Sequence, residues 1–112
     1  MHNRKLLVLV LLGLSMSVGA DFRTITEAYE VELSSMRLPG NEYGTLTFKQ
    51  CSDCDAQTLR VNGTTRYLIN DRDFTLAEFK EQLKRVTNRN GRVVAVLHHL
   101  ESNTIKAIKV RL

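Results

Sequence analysis

The chain has 112 residues, of which 16 are basic, 12 acidic and 43% hydrophobic, with two cysteines and no tryptophan. That length suits one domain and excludes two. The net charge of +4 is small and unevenly placed: residues 21–59 carry 3 basic and 7 acidic side chains, a balance of −4, and residues 60–112 carry 11 and 5, a balance of +6.

Residues 1–20 have the grammar of a signal peptide. His2, Asn3, Arg4 and Lys5 form a short basic start, Leu6 to Leu14 an apolar run, and Ser15 to Ala20 a small-residue exit ending Val18-Gly19-Ala20. The apolar run is nine residues long, short of the roughly 20 a membrane-spanning helix needs. The expectation is cleavage after Ala20, with export of residues 21–112 to a periplasmic or secreted location as a single β-rich domain. An uncleaved N-terminal anchor is the alternative.

From Ala28 the pattern has period two. Tyr29, Val31 and Leu33 point one way, and Glu30, Glu32 and Ser34 the other, as in a half-buried strand. Ser34-Ser35 breaks the phase and Met36 and Leu38 resume it on the opposite parity, which a bulge near Ser35 would reconcile. Pro39-Gly40-Asn41-Glu42 is a turn by composition. A strand from about Tyr43 to Gln50 completes a first hairpin, with Leu46 and Phe48 inward.

Cys51-Ser52-Asp53-Cys54-Asp55 reverses the chain. Thr58 to Val61 is β again, and Asn62-Gly63 is the strongest hairpin signal present, since both residues tolerate positive φ. Thr64 to Asn70 returns in a register that the pattern leaves open; a strict two-residue loop puts Leu59, Val61 and Leu68 on one face and Tyr67 and Ile69 on the other, a strand covered on both sides. Asp71-Arg72-Asp73 is a polar joint.

The one helix spans about 75–89. Thr75 and Glu78 make a capping box, and Phe74 and Phe79 can form a hydrophobic staple. Leu76, Phe79, Leu83 and Val86 share one stripe, Glu81 and Arg85 form an i,i+4 pair, and Asn90 or Gly91 takes a left-handed C-cap. Arg92 to Leu100 is apolar on both parities and reads as a central strand covered on two faces. Glu101-Ser102-Asn103 turns the chain into a last strand, Thr104 to Leu112.

The order β-β-β-β-α-β-β, with short links, implies antiparallel neighbours. The expected fold class is mainly β (α+β), a small, partly closed antiparallel barrel. In element order alone it resembles the OB-fold. No residue motif of a family accompanies that order, so no functional positions are carried over. An open antiparallel sheet with the helix on one face is the alternative.

Cys51 and Cys54 admit three readings. A structural disulfide fits an exported chain with an even cysteine count and is favoured. A redox pair has the C-x-x-C spacing, but a strand rather than a helix follows Cys54, and Asp53 and Asp55 would raise a thiol pKa. A zinc site lacks its other half: His98 and His99 are adjacent in a strand and point to opposite faces. No metal or other cofactor is therefore expected.

The serines lie in no nucleophile elbow and there is no Gly-rich phosphate loop, so no enzyme activity is expected. Lys80, Lys84, Arg85, Arg89 and Arg92 form a candidate patch for an anionic ligand, although positive charge near a helix C-terminus also suits the helix dipole. Tyr43, Phe48 and Tyr67 near Arg60 and Arg66 could offer base stacking plus charge. With 6% aromatic residues and export expected, nucleic acid is disfavoured. The expected role is binding or supporting an envelope protein or an anionic envelope component.

Overall fold

The structure, a computed structural model, describes residues 25–112. The expected signal peptide and cleavage site lie outside the described residues. The elements are β1 (Thr26–Glu32), a single 3-10 turn (Leu33–Ser35), β2 (Met36–Arg37), β3 (Thr45–Phe48), β4 (Gln57–Arg60), β5 (Arg66–Ile69), β6 (Arg72–Phe74), α1 (Leu76–Lys84), β7 (Val93–His99) and β8 (Thr104–Val110).

Among the described residues the architecture is mainly β with one helix. All eight strands join one sheet, in the order β1-β7-β8-β4-β3-β2, with β5 pairing β8 and β6 pairing β5. The sheet is mixed, which corrects the all-antiparallel expectation. β4 meets β8 in parallel at Arg60 and Thr104, and β5 runs parallel to β8 from Arg66–Ala107 to Ile69–Val110. β1 and β2 sit at opposite ends of the order and do not pair, so the sheet is not closed into a barrel.

The phase break at Ser34-Ser35 is a 3-10 turn rather than a bulge. Leu33 N–H still donates to Arg92 C=O at 2.9 Å, holding the turn to the entry of β7. The Ser35 hydroxyl donates to Glu32 C=O at 2.9 Å, which tightens the turn. β2 and β3 form the expected first hairpin, with Met36 opposite Phe48.

Asn62-Gly63 does not make a hairpin. β4 and β5 run in the same direction along one side of β8, and residues 61–65 are a jog between them. Thr65 N–H donates to Asn62 C=O, and Thr64 N–H to the Asn62 side chain. The buried Thr65 hydroxyl donates to Ile105 C=O at 2.6 Å. Gly63 has no positive φ. Local turn preference loses here to bonds made far along the chain, including Val61 N–H to Gly44 C=O at 3.0 Å.

The two-residue hairpin lies instead at Asn70-Asp71, where the expected strand ends and the polar joint Asp71-Arg72-Asp73 begins. Ile69 pairs with Arg72, and Asn70 and Asp71 have φ of 51° and 68°. That is the positive-φ requirement of a type I′ loop, which Asn and Asp meet at modest cost. Asp71→Gly is expected to hold or raise the melting temperature. A β-branched residue, Asp71→Val, should cost about 1–2 kcal/mol in denaturant titration.

The helix starts as expected. Thr75 Oγ1 accepts from Glu78 N–H, and the Glu78 carboxylate accepts from Thr75 N–H. It ends at Lys84, before Asn90-Gly91 can act as the C-cap. Val86, Thr87 and Asn88 are poor helix formers, and Arg85 and Val86 already make bonds to residues three back. The Arg89 guanidinium donates to Leu83 C=O at 2.8 Å, satisfying a carbonyl the helix end leaves open. Glu81 pairs with Lys84 at 3.5 Å rather than with Arg85, and both side chains are exposed.

The core lies between the inward faces of the curved sheet and α1. It gathers Val31 and Leu33, Leu46 and Phe48, Tyr67 and Ile69, Leu76, Phe79 and Leu83, Val94 and Val96, and Ile105, Ile108 and Val110. The Phe79 and Tyr67 rings lie 5.3 Å apart. β5 is covered on both faces, since Tyr67, Leu68 and Ile69 are all buried. β7 is central, between β1 and β8, but covered on one face only: Val94, Val96 and His98 are buried, and Val93 is 55% exposed.

Candidate functional site

The cysteines lie where β3 must turn into β4. Phe48 opposite Gln57 is the last pair of that ladder, and the loop beyond it closes on itself. Cys54 N–H donates to Cys51 C=O at 3.2 Å, and the two residues are joined as a disulfide with their Cα atoms 5.0 Å apart. Cys51 is exposed and Cys54 half-buried. No helix begins at either residue. The Ser35 hydroxyl lies 3.3 Å from Lys49 C=O, so the 3-10 turn and the end of β3 border the corner. A shallow depression of about 390 Å³ there is lined by Glu32, Ser34, Ser35, Lys49 and the Cys51-Ser52 peptide. Among the described residues no group of His, Cys, Asp or Glu is placed to hold a metal ion.

The basic residues of the second half do not converge on one point. Lys80 Nζ donates to Pro39 C=O at 3.1 Å, tying α1 to the loop after β2. Lys84 pairs with Glu81, and Arg89 serves the helix end. Arg85 is exposed at the C-cap, and Arg92 is half-buried with its Nε lacking a partner among the described residues. Lys80 and Lys84 do line a groove of about 480 Å³ between α1 and the Gly40-Asn41-Glu42 loop.

A smaller cavity of about 160 Å³ reaches from Glu42 and Thr75 to Thr65 and Tyr67. Tyr67 is 4% exposed and its hydroxyl has no hydrogen-bond partner among the described residues. Burial, and then the charge of Glu42, push its phenol pKa up. A raised folded-state pKa favours the neutral phenol. The associated stability is full below the ordinary value near 10 and is lost as pH rises through the higher folded value. Tyr67→Phe is therefore expected to be neutral or stabilising, by up to about 1 kcal/mol, and to flatten the alkaline limb of a stability–pH curve. Of the aromatic residues considered for stacking, Phe48 and Tyr67 are buried, and only Tyr43, 69% exposed, presents its ring to solvent.

The two histidines face opposite ways, as adjacent strand residues should. His98 is buried, with Nε2 2.9 Å from the Asn103 side chain and its ring stacked near Tyr29. His99 Nδ1 accepts from Ser102 N–H and lies 2.9 Å from Ser102 Oγ, which is 2.7 Å from Thr104 Oγ1. These bonds hold the β7–β8 turn, where Asn103 takes a φ of 55°.

Sequence reasoning missed the unpartnered Tyr67 hydroxyl and the Thr65–Ile105 bond, because neither leaves a local pattern. The signal that was available was the row of three bulky residues Tyr67-Leu68-Ile69, which marks a strand covered on two faces. Comparison with protein-family models finds no match, and comparisons with curated proteins and with solved structures find none either.

Proposed function

We propose that the chain is a small exported, non-enzymatic β-rich module that binds or supports another envelope component, with Cys51–Cys54 as a structural clamp. The observation that carries this reading is the place of the disulfide. It closes a tight turn between two paired strands, where β3 reverses into β4. A redox cysteine needs a thiolate stabilised at a helix N-terminus or by a neighbouring cation; this pair follows a strand and is flanked by Asp53 and Asp55. Oxidation in the compartment where the protein works is what the clamp requires, and export supplies it.

We further propose that the organisation is OB-like. Support comes from the pairing order: β1 and β2 are two parts of one bent segment at the two ends of the sheet, β1 is antiparallel to β7, and the β4–β5 segment is parallel to β8. The helix stands between those last two units in the chain. OB-folds serve as binding modules, and that is the role this organisation favours.

Crosslinking in the intact envelope tests the role, with the captured component identified by mass spectrometry. Reproducible capture of one envelope component supports it; no capture above a chain scrambled in sequence counts against it. A second reading, binding of an anionic envelope ligand, rests on the basic balance of residues 60–112 and on Lys80 and Lys84 in a groove that Glu42 and Glu81 also line. It predicts that binding to anionic vesicles or polysaccharide weakens steeply with salt and in a Lys80→Gln, Lys84→Gln variant. Binding indifferent to salt would sink it.

A further inference from the structure

The outward face of β1–β7–β8 is striped by charge. On β1, Tyr29 and Val31 turn into the core, so Ala28, Glu30 and Glu32 lie on the opposite face. On β7 that face carries Leu97, Ala95 and Val93. The register sets these residues in rows: Ala28–Leu97–Ala107, then Glu30–Ala95–Lys109, then Glu32–Val93 with Arg111 following the β8 residue Val110. Glu30, Val93, Ala95, Lys109 and Arg111 line one shallow groove of about 300 Å³. The face thus reads, strand by strand, acidic on β1, apolar on β7 and basic on β8.

Glu30, Glu32, Lys109 and Arg111 are all exposed. Neither Glu30 nor Lys109 makes an ion pair among the described residues, and Arg111 reaches only Asp71, at 3.7 Å. Acid and base stand on either side of the apolar stripe with β7 between them, and among the described residues no ion pair joins them.

We infer that this face is the docking surface for a second copy of the chain, related by a two-fold axis running along β7. Such an axis exchanges left and right while keeping each row level. The β1 acids of one copy then face the β8 bases of the other, Glu30 against Lys109 and Glu32 against Arg111, with the Val93-Ala95-Leu97 stripes packed together. The interface is isologous and self-complementary. An axis across the strands would set acid on acid and base on base, which is unfavourable, so the charge order selects one of the two face-to-face arrangements. Aligned sheets pack this way through their side chains. The pairs that select this arrangement are exposed charges around a short apolar stripe, so the dimer is weak, depends on concentration and is screened by salt.

Analytical ultracentrifugation of the purified chain tests this. The weight-average mass rises towards that of a dimer with concentration at low salt, and falls back at about 1 M salt, where the screening length is about 3 Å. Glu30→Lys alone and Lys109→Glu alone each remain monomeric, because each sets like charges across the axis. An equimolar mixture of the two regains the dimer, since the new lysine of the Glu30→Lys chain then meets the new glutamate of the Lys109→Glu chain. Circular dichroism checks that both variants are folded, and Val93→Asp, in the apolar stripe, gives the same loss independently. A wild-type chain that stays monomeric, variants that still dimerise, or a mixture that does not recover would each overturn the proposal.

Discussion

Replacing Phe79 with alanine is expected to lower the unfolding free energy by about 3–5 kcal/mol, the usual cost of emptying a buried aromatic site. Phe79 has no exposed surface and its ring packs on Tyr67, where α1 closes over β5. A domain of this size has about 5–15 kcal/mol in total, so the variant loses a large share of it. Thermal unfolding by circular dichroism should show a Tm lower by more than about 10 °C. Phe79→Leu should lose much less, since a smaller void remains. Equal losses from both variants would mean that the helix is held by something other than this contact.

The second large effect is expected at the disulfide. A four-residue loop closed by Cys51 and Cys54 contributes roughly 2 kcal/mol by the chain-entropy argument. The double variant Cys51→Ser, Cys54→Ser should therefore melt roughly 10 °C lower than the oxidised chain, and adding reductant to the wild-type chain should reproduce most of that shift. The fold should survive, because the hairpin is also held by the β3–β4 ladder and by Leu46 and Phe48 in the core. A reduced chain as stable as the oxidised one would mean that the bond clamps nothing.

Much of this body was legible residue by residue. The helix start was, because Thr75 and Glu78 satisfy each other's backbone within one turn and need nothing from elsewhere. The corner at Cys51–Cys54 was, because polar residues between two alternating runs leave a strand nowhere to go. The strand pairing was less so. Asn62-Gly63 has the stronger turn composition, yet Asn70-Asp71 makes the hairpin. The first site is held by Thr65 bonded to Ile105, forty positions away, and no local pattern announces that bond. The parallel pairing of β4 and β5 with β8 was hidden for the same reason, since short links suggest neighbours only between consecutive strands. The helix is shorter than its stripe suggests because β-branched Val86 and Thr87 outweigh the Asn90-Gly91 stop that follows.

The basic residues show how composition misleads about a site. Five cations within thirteen positions read as a patch, but three of them are engaged inside the molecule: Lys80 with Pro39 C=O, Lys84 with Glu81, and Arg89 with the end of α1. The charge order across β1, β7 and β8 is visible only once the register is known, because its rows draw on residues some eighty positions apart, such as Glu30 and Lys109.

An exported module clamped by its own disulfide has a clear signature in the intact mass of the protein isolated from cells that express it. The expected species is a chain beginning at Asp21, found in the envelope or external fraction, lighter by two hydrogens than its fully reduced form and inert to alkylation until reductant is added. A chain retaining residues 1–20 in the cytoplasmic fraction, with Cys51 and Cys54 both alkylated at once, would contradict both the export and the clamp.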